Sequence, residues 1–316
     1  MKKIVLASGS PRRRELLTQI GISFEVVKAE GEEKITTDDP EEAVKELAMQ
    51  KAQPVPTVSA LYEDESIGVV MKSPRLLVHR SEVAPREERF ALQLARDLFG
   101  RRVYAAHRLD RGTSGVLVFA FDPQTAAGME KAWAAGAVRK RYALLVRGWL
   151  DGTTVIDHPL KPVEDAYLRV QKTEPQTAVT TVTAWGQRVI PVPFGGFDSI
   201  RVSLAACEPL TGRRHQIRRH MKHAAHPIFG DATYGKGPLN RPAAAWWGTD
   251  RLMLHCARMA FPHPVSGVTV DVTAAPDAEF ARALAALDLT DAYNTGIGAP
   301  WEPRPLAMTA TEGTNE

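Results

Sequence analysis

The sequence predicts a protein of the α+β class, on the evidence of two β-rich stretches and one cationic helix. Residues 115–120 and 140–149 are rich in valine, leucine and aromatic side chains, which favour strands. From about residue 213, apolar side chains recur every three or four positions, which indicates a helix. With 316 residues, 44% of them hydrophobic, the chain can form one large domain or two modest ones.

The composition excludes several classes of protein. The apolar runs span only a few residues, whereas a bilayer needs roughly 20, so we expect no membrane association. The apolar stretch near the N-terminus ends after Ala7 and leads into three arginines, which argues against a signal peptide and predicts a cytoplasmic protein. Cys207 and Cys256 lack CxxC spacing, which argues against a disulfide framework or a thiolate metal site.

The use of lysine and arginine divides the chain near residue 52. Residues 1–52 hold 6 Lys and 3 Arg, whereas the remainder holds 7 Lys and 24 Arg. Two prolines and no charge follow the division, as in a linker. We therefore predict an N-terminal α/β fragment over 1–52, a linker over 53–60, a main domain over 61–287 and a disordered tail over 288–316.

The first segment begins as strand, turn and helix. The apolar run Ile4–Ala7 predicts the strand, and a turn of Ser, Gly and Pro leads into a helical pattern through Leu16, Leu17 and Ile20. Such a turn can hold phosphate on free backbone N–H groups. A capped helix with solvated arginines explains the pattern equally simply, and we favour it on the local residues alone.

Asp110 is the first candidate for chemistry. It lies in a glycine-containing loop ahead of a predicted buried strand, between Arg108 and Arg111, and no other acid occurs between Asp97 and Asp122. A carboxylate among cations stays ionised. That state suits a nucleophile or a general base, and the alternative is a structural Asp–Arg pair.

Tyr142 is the second candidate, on the second β-rich stretch. In a strand it shares one face with Leu144 and Val146. A tyrosine there can stack on a nucleobase while its hydroxyl reaches a polar partner. It can equally be a half-buried strand residue with no chemical role.

The third candidate is the cationic stretch over residues 211–226, which holds five Arg or Lys and four His. No acid occurs between Glu208 and Asp231. If the stretch is helical, Arg214 and Arg218 stack one turn apart and form one cationic face. Such a face favours a nucleic-acid backbone, and the alternative is a solvated helix surface.

Metal binding and other catalytic templates are not supported. His220, His223 and His226 drift around the helix, Pro227 ends it, and carboxylate ligands are lacking nearby, so we expect no metal. The chain has no GxxxxGK[ST], no GxGxxG opening a helix, no HExxH and no GxSxG.

Together and in this order, the three stretches resemble the RluA-type pseudouridine synthases, which isomerise uridine in RNA without a cofactor. The likeness runs from about residue 61 to 287. It is carried by His107-Arg108-Leu109-Asp110, Lys140-Arg141-Tyr142, His215-Gln216-Ile217-Arg218, His226-Pro227-Ile228-Phe229-Gly230-Asp231 and Arg251-Leu252-Met253-Leu254-His255. It implies a mixed, largely antiparallel central sheet with flanking helices, a catalytic cleft, an RNA partner and no cofactor.

The resemblance also implies roles for individual residues. Asp110 would act at the ribose, either by attacking C1′ or through a glycal formed by C2′ deprotonation. Arg218 would ion-pair with it, Tyr142 would stack under the base and serve the C5 proton, and Arg108 would fill the space left by the flipped uridine. The other RNA-binding residues implied by these motifs are His107, Arg213, Arg214, His215, Gln216 and Arg219.

Within that family the chain is most similar to enzymes that modify tRNA, through Leu77-Val78-His79-Arg80-Ser81 and Pro175-Gln176-Thr177-Ala178-Val179-Thr180. This likeness implies position 65 of tRNA as the target and leaves rRNA as the alternative. We expect a monomer. One departure stands out: where the family shows Lys-Pro-x-Gly, this chain has Lys72-Ser73-Pro74-Arg75.

Residues 1–52 resemble the start of the Maf-like nucleotide pyrophosphatases, through Leu6-Ala7-Ser8-Gly9-Ser10-Pro11-Arg12-Arg13-Arg14 and again over residues 42–52. The rest of that family's pattern is missing, so the segment is expected to be an inactive fragment. Two rival functions follow, a nucleoside triphosphate pyrophosphatase and a non-catalytic RNA-binding protein.

Overall fold

A computed structural model describes residues 4–6, 15, 18–19, 24–26, 56–80, 89–163, 174–235 and 237–301. The strands are β1 Ile4–Leu6, β2 Phe24–Val26, β3 Val58–Glu63, β4 Ile67–Lys72, β5 Tyr104–Ala105, β6 Ser114–Ala120, β7 Arg139–Arg147, β8 Thr153–Asp157, β9 Val179–Ile190, β10 Ile200–Pro209, β11 Leu254–Pro262 and β12 Thr269–Thr273. The helices are α1 Ala91–Phe99, α2 Pro123–Ala134, α3 Gln216–His223, α4 Gly237–Trp247, α5 Ala278–Ala286 and α6 Thr290–Gly298.

Ten of these strands form one sheet in the order β3-β4-β6-β11-β7-β10-β9-β8, with β12 paired to β11 and β5 to β6. Its pairings are antiparallel except for the short parallel contact between β11 and β6. The predicted α+β class with a mixed, largely antiparallel sheet is therefore confirmed. No helix in the described part of the chain is long and apolar enough to span a bilayer.

The strands at the centre of the sheet are the β-rich stretches of the sequence. All seven residues of β6 are buried, and so are the six residues 141–146 of β7. Burial of branched and aromatic side chains on both faces is what fixes such strands inside a domain. The loop over residues 107–113 enters the sheet at β6, and β7 carries Tyr142, so the core itself positions two of the predicted site residues.

The parallel contact between β6 and β11 depends on a glycine. Gly115 pairs with Cys256 and adopts a φ of 115°, which L side chains rarely adopt. A Cβ at this position would overlap the backbone carbonyl of Cys256. The absent side chain lets the two strands meet directly below the loop that carries Asp110.

The predicted strand at the start of the chain is present as β1, which pairs in parallel with β2 from Ile4–Phe24 to Leu6–Val26. The turn and its arginines over residues 8–14 lie outside the described residues. The predicted linker over 53–60 is wrong at its C-terminal end, because β3 begins at Val58 and pairs with β4. Val58 is buried while Ser59 and Ala60 are exposed, as fits a strand at the edge of the sheet.

The prediction of a disordered tail from residue 288 is also wrong, because residues 290–298 form α6. Tyr293 and Ile297, four positions apart on this helix, are 2% and 8% exposed. The apolar face of this helix is short, and the surrounding Thr, Gly and Ala residues give no clear helical periodicity in the sequence. The rest of the predicted tail, residues 302–316, lies outside the described residues.

Arginines from the sheet hold the end of α6. Arg141 on β7 donates to the carbonyls of Ala299 and Pro300, at 2.7 and 2.8 Å. Its guanidinium also lies 4.7 Å from the ring centroid of Trp301, which Arg139 and Arg258 approach at 4.6 and 4.9 Å. The C-terminal segment is thus fastened to the outer face of the central strands.

Candidate active site

The predicted site residues meet in a cleft of about 1060 Å³ above the centre of the sheet. The loop over 107–113, β7 and the segment over 209–218 form its walls. The predicted residues that line it are Asp110, Tyr142, Arg218, His107, Arg108, Arg213, Arg214, His215 and Gln216. Arg219 is not among the lining residues.

Asp110 and Arg218 form an ion pair in this cleft. Arg218 Nη1 lies 3.1 Å from Asp110 Oδ2, although the two residues are 108 positions apart in the sequence. The Asp110 side chain keeps 26% of its surface exposed, so it is open to a substrate. The loop around it is closed by a hydrogen bond from the Thr113 N–H to the Asp110 carbonyl.

Arg218 is held from the other side by Asp231. Its Nε and Nη2 atoms lie 2.8 and 2.9 Å from Oδ2 and Oδ1 of that carboxylate, and Oδ1 also accepts the N–H groups of Thr233 and Tyr234. Burial acts to raise the pKa of Asp231, but these hydrogen bonds outweigh it and keep the pKa below its usual value. Asp231 is 1% exposed, so it orients Arg218 and does not meet a ligand.

The expected cationic face of α3 needs correction. The helix begins at Gln216, because His215 adopts a φ of 54° and interrupts it, so Arg214 precedes the helix. Ile217 and Met221, two of the apolar side chains that recur along this stretch, are buried. Arg218, however, is 9% exposed and neutralised by two carboxylates, so it does not stack with Arg214 on an open surface.

His215 lies beside the ion pair. Its Nε2 is 3.9 Å from Asp110 Oδ1, and its Nδ1 is 3.0 Å from the hydroxyl of Tyr234. Burial lowers the pKa of His215 more than the nearby Asp110 carboxylate raises it. A neutral imidazole therefore faces the cleft at neutral pH.

Tyr142 projects from β7 between two cysteines. The strand register places it opposite Cys207 on β10 and Cys256 on β11. Burial, with an added contribution from the Cys256 thiol, raises its pKa well above 10.0. The phenol therefore stays protonated across the physiological range while its ring lines the cleft.

A buried lysine at the end of β4 is hydrogen-bonded to the loop that carries Asp110. Lys72 is 0% exposed, and its Nζ donates to the carbonyls of Ser73, Leu76 and Arg111, at 2.8, 2.7 and 3.4 Å. Burial lowers its pKa to about 7. The bond to Arg111 connects the end of β4 with the loop that holds Asp110.

The departure at Arg75 does not disturb the neighbouring strand, since β4 is regular up to Lys72. Arg75 adopts a φ of 61°, in the left-handed region where glycine is favoured. Its guanidinium makes ion pairs of 2.5 Å with Glu279 and 2.7 Å with Asp250. These contacts offset the backbone cost of an L side chain at this turn.

A second buried network anchors the start of β6. The Ser114 hydroxyl lies 2.8 Å from His255 Nδ1 and 3.0 Å from Arg251 Nη1, and Arg251 in turn contacts Asp277. Ser114 and His255 are both 0% exposed. Ser114 and His255 are therefore sealed from substrate, and the group fixes the strand after the Asp110 loop.

Two predicted RNA-binding residues are engaged within the protein. His107 Nε2 accepts the Val118 N–H at 3.1 Å, and burial lowers the pKa of His107 to about 3. The Gln216 amide donates to Val179 O and accepts from Thr211 Oγ1. Both side chains shape the cleft wall through these internal bonds.

Among the described residues, no group of three or more His, Cys, Asp or Glu is arranged to hold a metal ion. The three histidines considered in the sequence have other neighbours. His220 contacts Thr180 Oγ1, His223 stacks on His158, and His226 Nδ1 contacts Arg147 O. The geometry of this cleft is that of a polar, cationic site in which the carboxylate of Asp110 is partly exposed beside Arg218.

Comparison with known proteins places this site in a family. The family model for RNA pseudouridylate synthase matches residues 66–223, which carry Asp110, Tyr142 and Arg218. The chain belongs to that family of isomerases, and the predicted RluA-type relationship is confirmed.

Curated relatives agree with this assignment. The chain is 41% identical over 208 residues to the tRNA pseudouridine synthase C of Vibrio cholerae, covering 65% of this chain and 85% of the relative. It is 39% identical over 224 residues to the Haemophilus influenzae protein of the same name, covering 70% and 93%. The Pasteurella multocida protein of that name is 38% identical over 247 residues, covering 77% and 99%.

Two solved structures share the fold. Human RNA Pseudouridylate Synthase Domain Containing 1 aligns with a TM-score of 0.59 at 22% identity, covering 79% of this chain and 98% of that one. Human RNA Pseudouridylate Synthase Domain Containing 4 aligns with a TM-score of 0.54 at 22% identity, covering 73% and 93%.

A second family model, Maf-like protein, matches residues 3–109 and overlaps the first over residues 66–109. The predicted N-terminal likeness is confirmed, and it extends beyond residue 52. Within the overlap, β4 and β5 are strands of the ten-stranded sheet. Structurally, the overlap therefore belongs to the synthase domain.

Proposed function

We propose that this protein converts one uridine of a tRNA to pseudouridine, with Asp110 as the catalytic group. The observation that carries the proposal is the Asp110–Arg218 ion pair, exposed in a cleft that Tyr142 also lines. The names of the curated relatives support tRNA as the substrate class, and rRNA is the alternative. Resemblance to those enzymes makes position 65 the first uridine to examine.

The reaction breaks the N1–C1′ bond, rotates the base and joins C5 to C1′, so the atoms of the product equal those of the substrate. The ionised carboxylate of Asp110 either attacks C1′ or removes the C2′ proton to give a glycal. Arg218 orients this carboxylate, because its own position is fixed by Asp231. Tyr142 stacks under the base, and because its phenol stays protonated, it serves the C5 proton as a relay that passes on its own proton as it takes up the one from C5. The hydrogen lost from C5 is thereby balanced by the one gained at N1.

The target uridine has to leave the helical stack to reach this cleft. Arg108 is exposed at the cleft wall two positions before Asp110, where it can occupy the space that the base leaves. Arg213 and Arg214 are exposed at the opposite wall and are suited to phosphates. Such contacts supply affinity without sequence information, so they add a salt-dependent component to binding.

Pseudouridine mapping tests the function. tRNA from cells lacking the gene is compared after complementation with the wild type or with Asp110→Asn. The wild type should restore one pseudouridine, and Asp110→Asn should restore none while still binding tRNA. Full restoration by Asp110→Asn would contradict the mechanism, and restoration only in rRNA would contradict the substrate.

The remaining proposals concern the state of the protein. We propose that it acts in the cytoplasm as a monomer, without a metal or cofactor, and that residues 1–52 take no part in catalysis. Deletion of residues 1–52 should therefore leave tritium release from C5-labelled uridine unchanged. Loss of pyrophosphate release from nucleoside triphosphates on that deletion would instead favour the pyrophosphatase alternative.

A further inference from the structure

Two residues of α2 line the cleft and have no part in the chemistry above. Glu130 and Trp133 are three positions apart, so their side chains are neighbours on one face of the helix. Glu130 is exposed and Trp133 is half-buried.

Trp133 is held as a rigid platform beside the Asp110 loop. One side of its indole stacks on His107, with ring centroids 5.0 Å apart and an interplanar angle of 22°. His107 is itself fixed by the hydrogen bond from Val118 and lies three positions before Asp110. The exposed part of the indole contributes to the cleft wall, where it can receive a second planar group.

Glu130 is unusual in its surroundings. Eight Arg and Lys residues line the cleft, yet its carboxylate makes no hydrogen bond or ion pair with any residue in the described ranges. A free carboxylate repels an incoming phosphate backbone. Its oxygens can accept hydrogen bonds only, so a favourable partner has to present N–H groups.

We propose that Trp133 and Glu130 form a subsite for a guanine base that neighbours the target uridine. Guanine is the base whose N1–H and N2–H donors lie side by side, and together they match the two oxygens of a carboxylate. Stacking on Trp133 directs that edge towards Glu130 on the preceding turn of the helix. This inference rests on the proposed function, since it names a base that the same cleft binds together with the uridine.

Binding of short RNAs tests the subsite. Heptanucleotides with a central uridine carry guanosine, inosine or adenosine on either side, and their affinity for the full chain is measured by fluorescence anisotropy. The Asp110→Asn variant is used so that turnover does not change the RNA. Inosine lacks only the N2 amine, so it should bind roughly threefold to tenfold more weakly than guanosine at one of the two positions.

Substitutions assign that preference to the two side chains. Glu130→Gln should abolish the difference between guanosine and inosine, because an amide offers one acceptor oxygen. Trp133→Ala should weaken both RNAs by roughly tenfold, and Trp133→Phe should restore most of the loss. Lys131→Gln is the matched control, since Lys131 is an exposed neighbour on α2 outside the cleft, and it should change nothing.

Two results would overturn the proposal. With Glu130 and Trp133 intact, equal affinity for the RNAs that carry guanosine, inosine and adenosine would refute the subsite. A uniform gain in affinity for all RNAs in Glu130→Gln would show that Glu130 only repels phosphate. A guanosine preference that depends on Glu130, in a protein that makes no pseudouridine in any RNA, would retain the subsite and refute the proposed function.

Discussion

Arg218 and Asp231 are joined by two hydrogen bonds, of 2.8 and 2.9 Å, whereas Arg218 and Asp110 share one of 3.1 Å. The buried acid therefore fixes the guanidinium, and the guanidinium then orients the exposed acid. Asp110 commits a single oxygen to the pair, so under the proposed function its other oxygen is available for the ribose. The arrangement separates the residue that holds Arg218 from the residue proposed to act.

Replacing Asp231 tests the holding role. Asp231→Asn should lower the free energy of unfolding by about 3 kcal/mol, because it leaves the buried Arg218 without a charged partner on that side. Urea unfolding measures the change. Asp97→Asn breaks an exposed pair with Arg96 and should cost under about 1 kcal/mol. Equal effects of the two substitutions would refute the holding role.

Replacing Arg218 by lysine keeps the charge and removes the planar fork. A lysine cannot bind Asp231 at two points and Asp110 at a third, so Arg218→Lys should lower kcat by about a hundredfold or more. Single-turnover tritium release measures the rate, and filter binding measures tRNA affinity, which should change little. A loss confined to affinity would instead make Arg218 a phosphate contact.

Two substitutions of Tyr142 distinguish the contribution of its ring to stacking from the contribution of its hydroxyl to proton transfer. Tyr142→Phe keeps the ring, so it should retain RNA binding while slowing product formation, because the hydroxyl is gone. Tyr142→Ala should lose both, with stacking worth about 1–3 kcal/mol of binding. Rate and affinity are compared on the same tRNA. Wild-type rates for Tyr142→Phe would exclude a role for the hydroxyl.

His107 makes stability depend on pH. Burial holds its pKa at about 3 in the folded protein, against 6.5 when unfolded. As pH falls below 6.5 the unfolded chain takes up the proton first, so the folded state loses up to about 1.4 kcal/mol per pH unit until pH approaches 3. Chemical unfolding of the wild type and of His107→Gln at pH 7 and pH 5 isolates this contribution. The wild type should lose about 2 kcal/mol more than the variant, and parallel losses would contradict the prediction.

The C-terminal helix α6 is expected to stabilise the domain. Tyr293→Ala removes a ring that is 2% exposed and should lower the free energy of unfolding by about 3–5 kcal/mol. Asn294→Ala alters the exposed neighbour on the same helix and should stay within about 0.5 kcal/mol of the wild type. Thermal unfolding of both variants is the measurement, and a mild effect of Tyr293→Ala would argue that α6 is only loosely docked.

The sequence predicted those parts of the fold and site that depend on a local residue pattern or on a family motif. β6 and β7 follow from their apolar composition, and the meeting of Asp110 with Arg218 followed from resemblance. The role of Asp231 in holding Arg218 was not predicted, although Asp231 belongs to one of the family motifs. Charge counting along α3 found no acid nearby, because the neutralising carboxylate comes from a loop after the helix.

Other features depend on contacts between distant segments. The stacking of His107 on Trp133 joins a loop to a helix 26 positions later, and no periodicity reports it. The start of α3 was placed too early, because the left-handed backbone of His215 is set by its contacts with Tyr234 and the cleft. The predicted tail failed because burial of two side chains outweighs a weak local preference for helix.

The bonds from Arg141 to the end of α6 bear on how the chain is made. Arg141 and Gly296 are 155 positions apart, and this one side chain donates hydrogen bonds to the carbonyls of Gly296, Ile297, Ala299 and Pro300. During translation, β7 is synthesised well before residue 296, so Arg141 on that strand at first has none of these acceptors. Its environment is completed only when α6 has also emerged from the ribosome. A premature stop codon that removes α6 would therefore leave Arg141 without these acceptors. The loss would disturb β7 and, through Tyr142 on the same strand, the cleft.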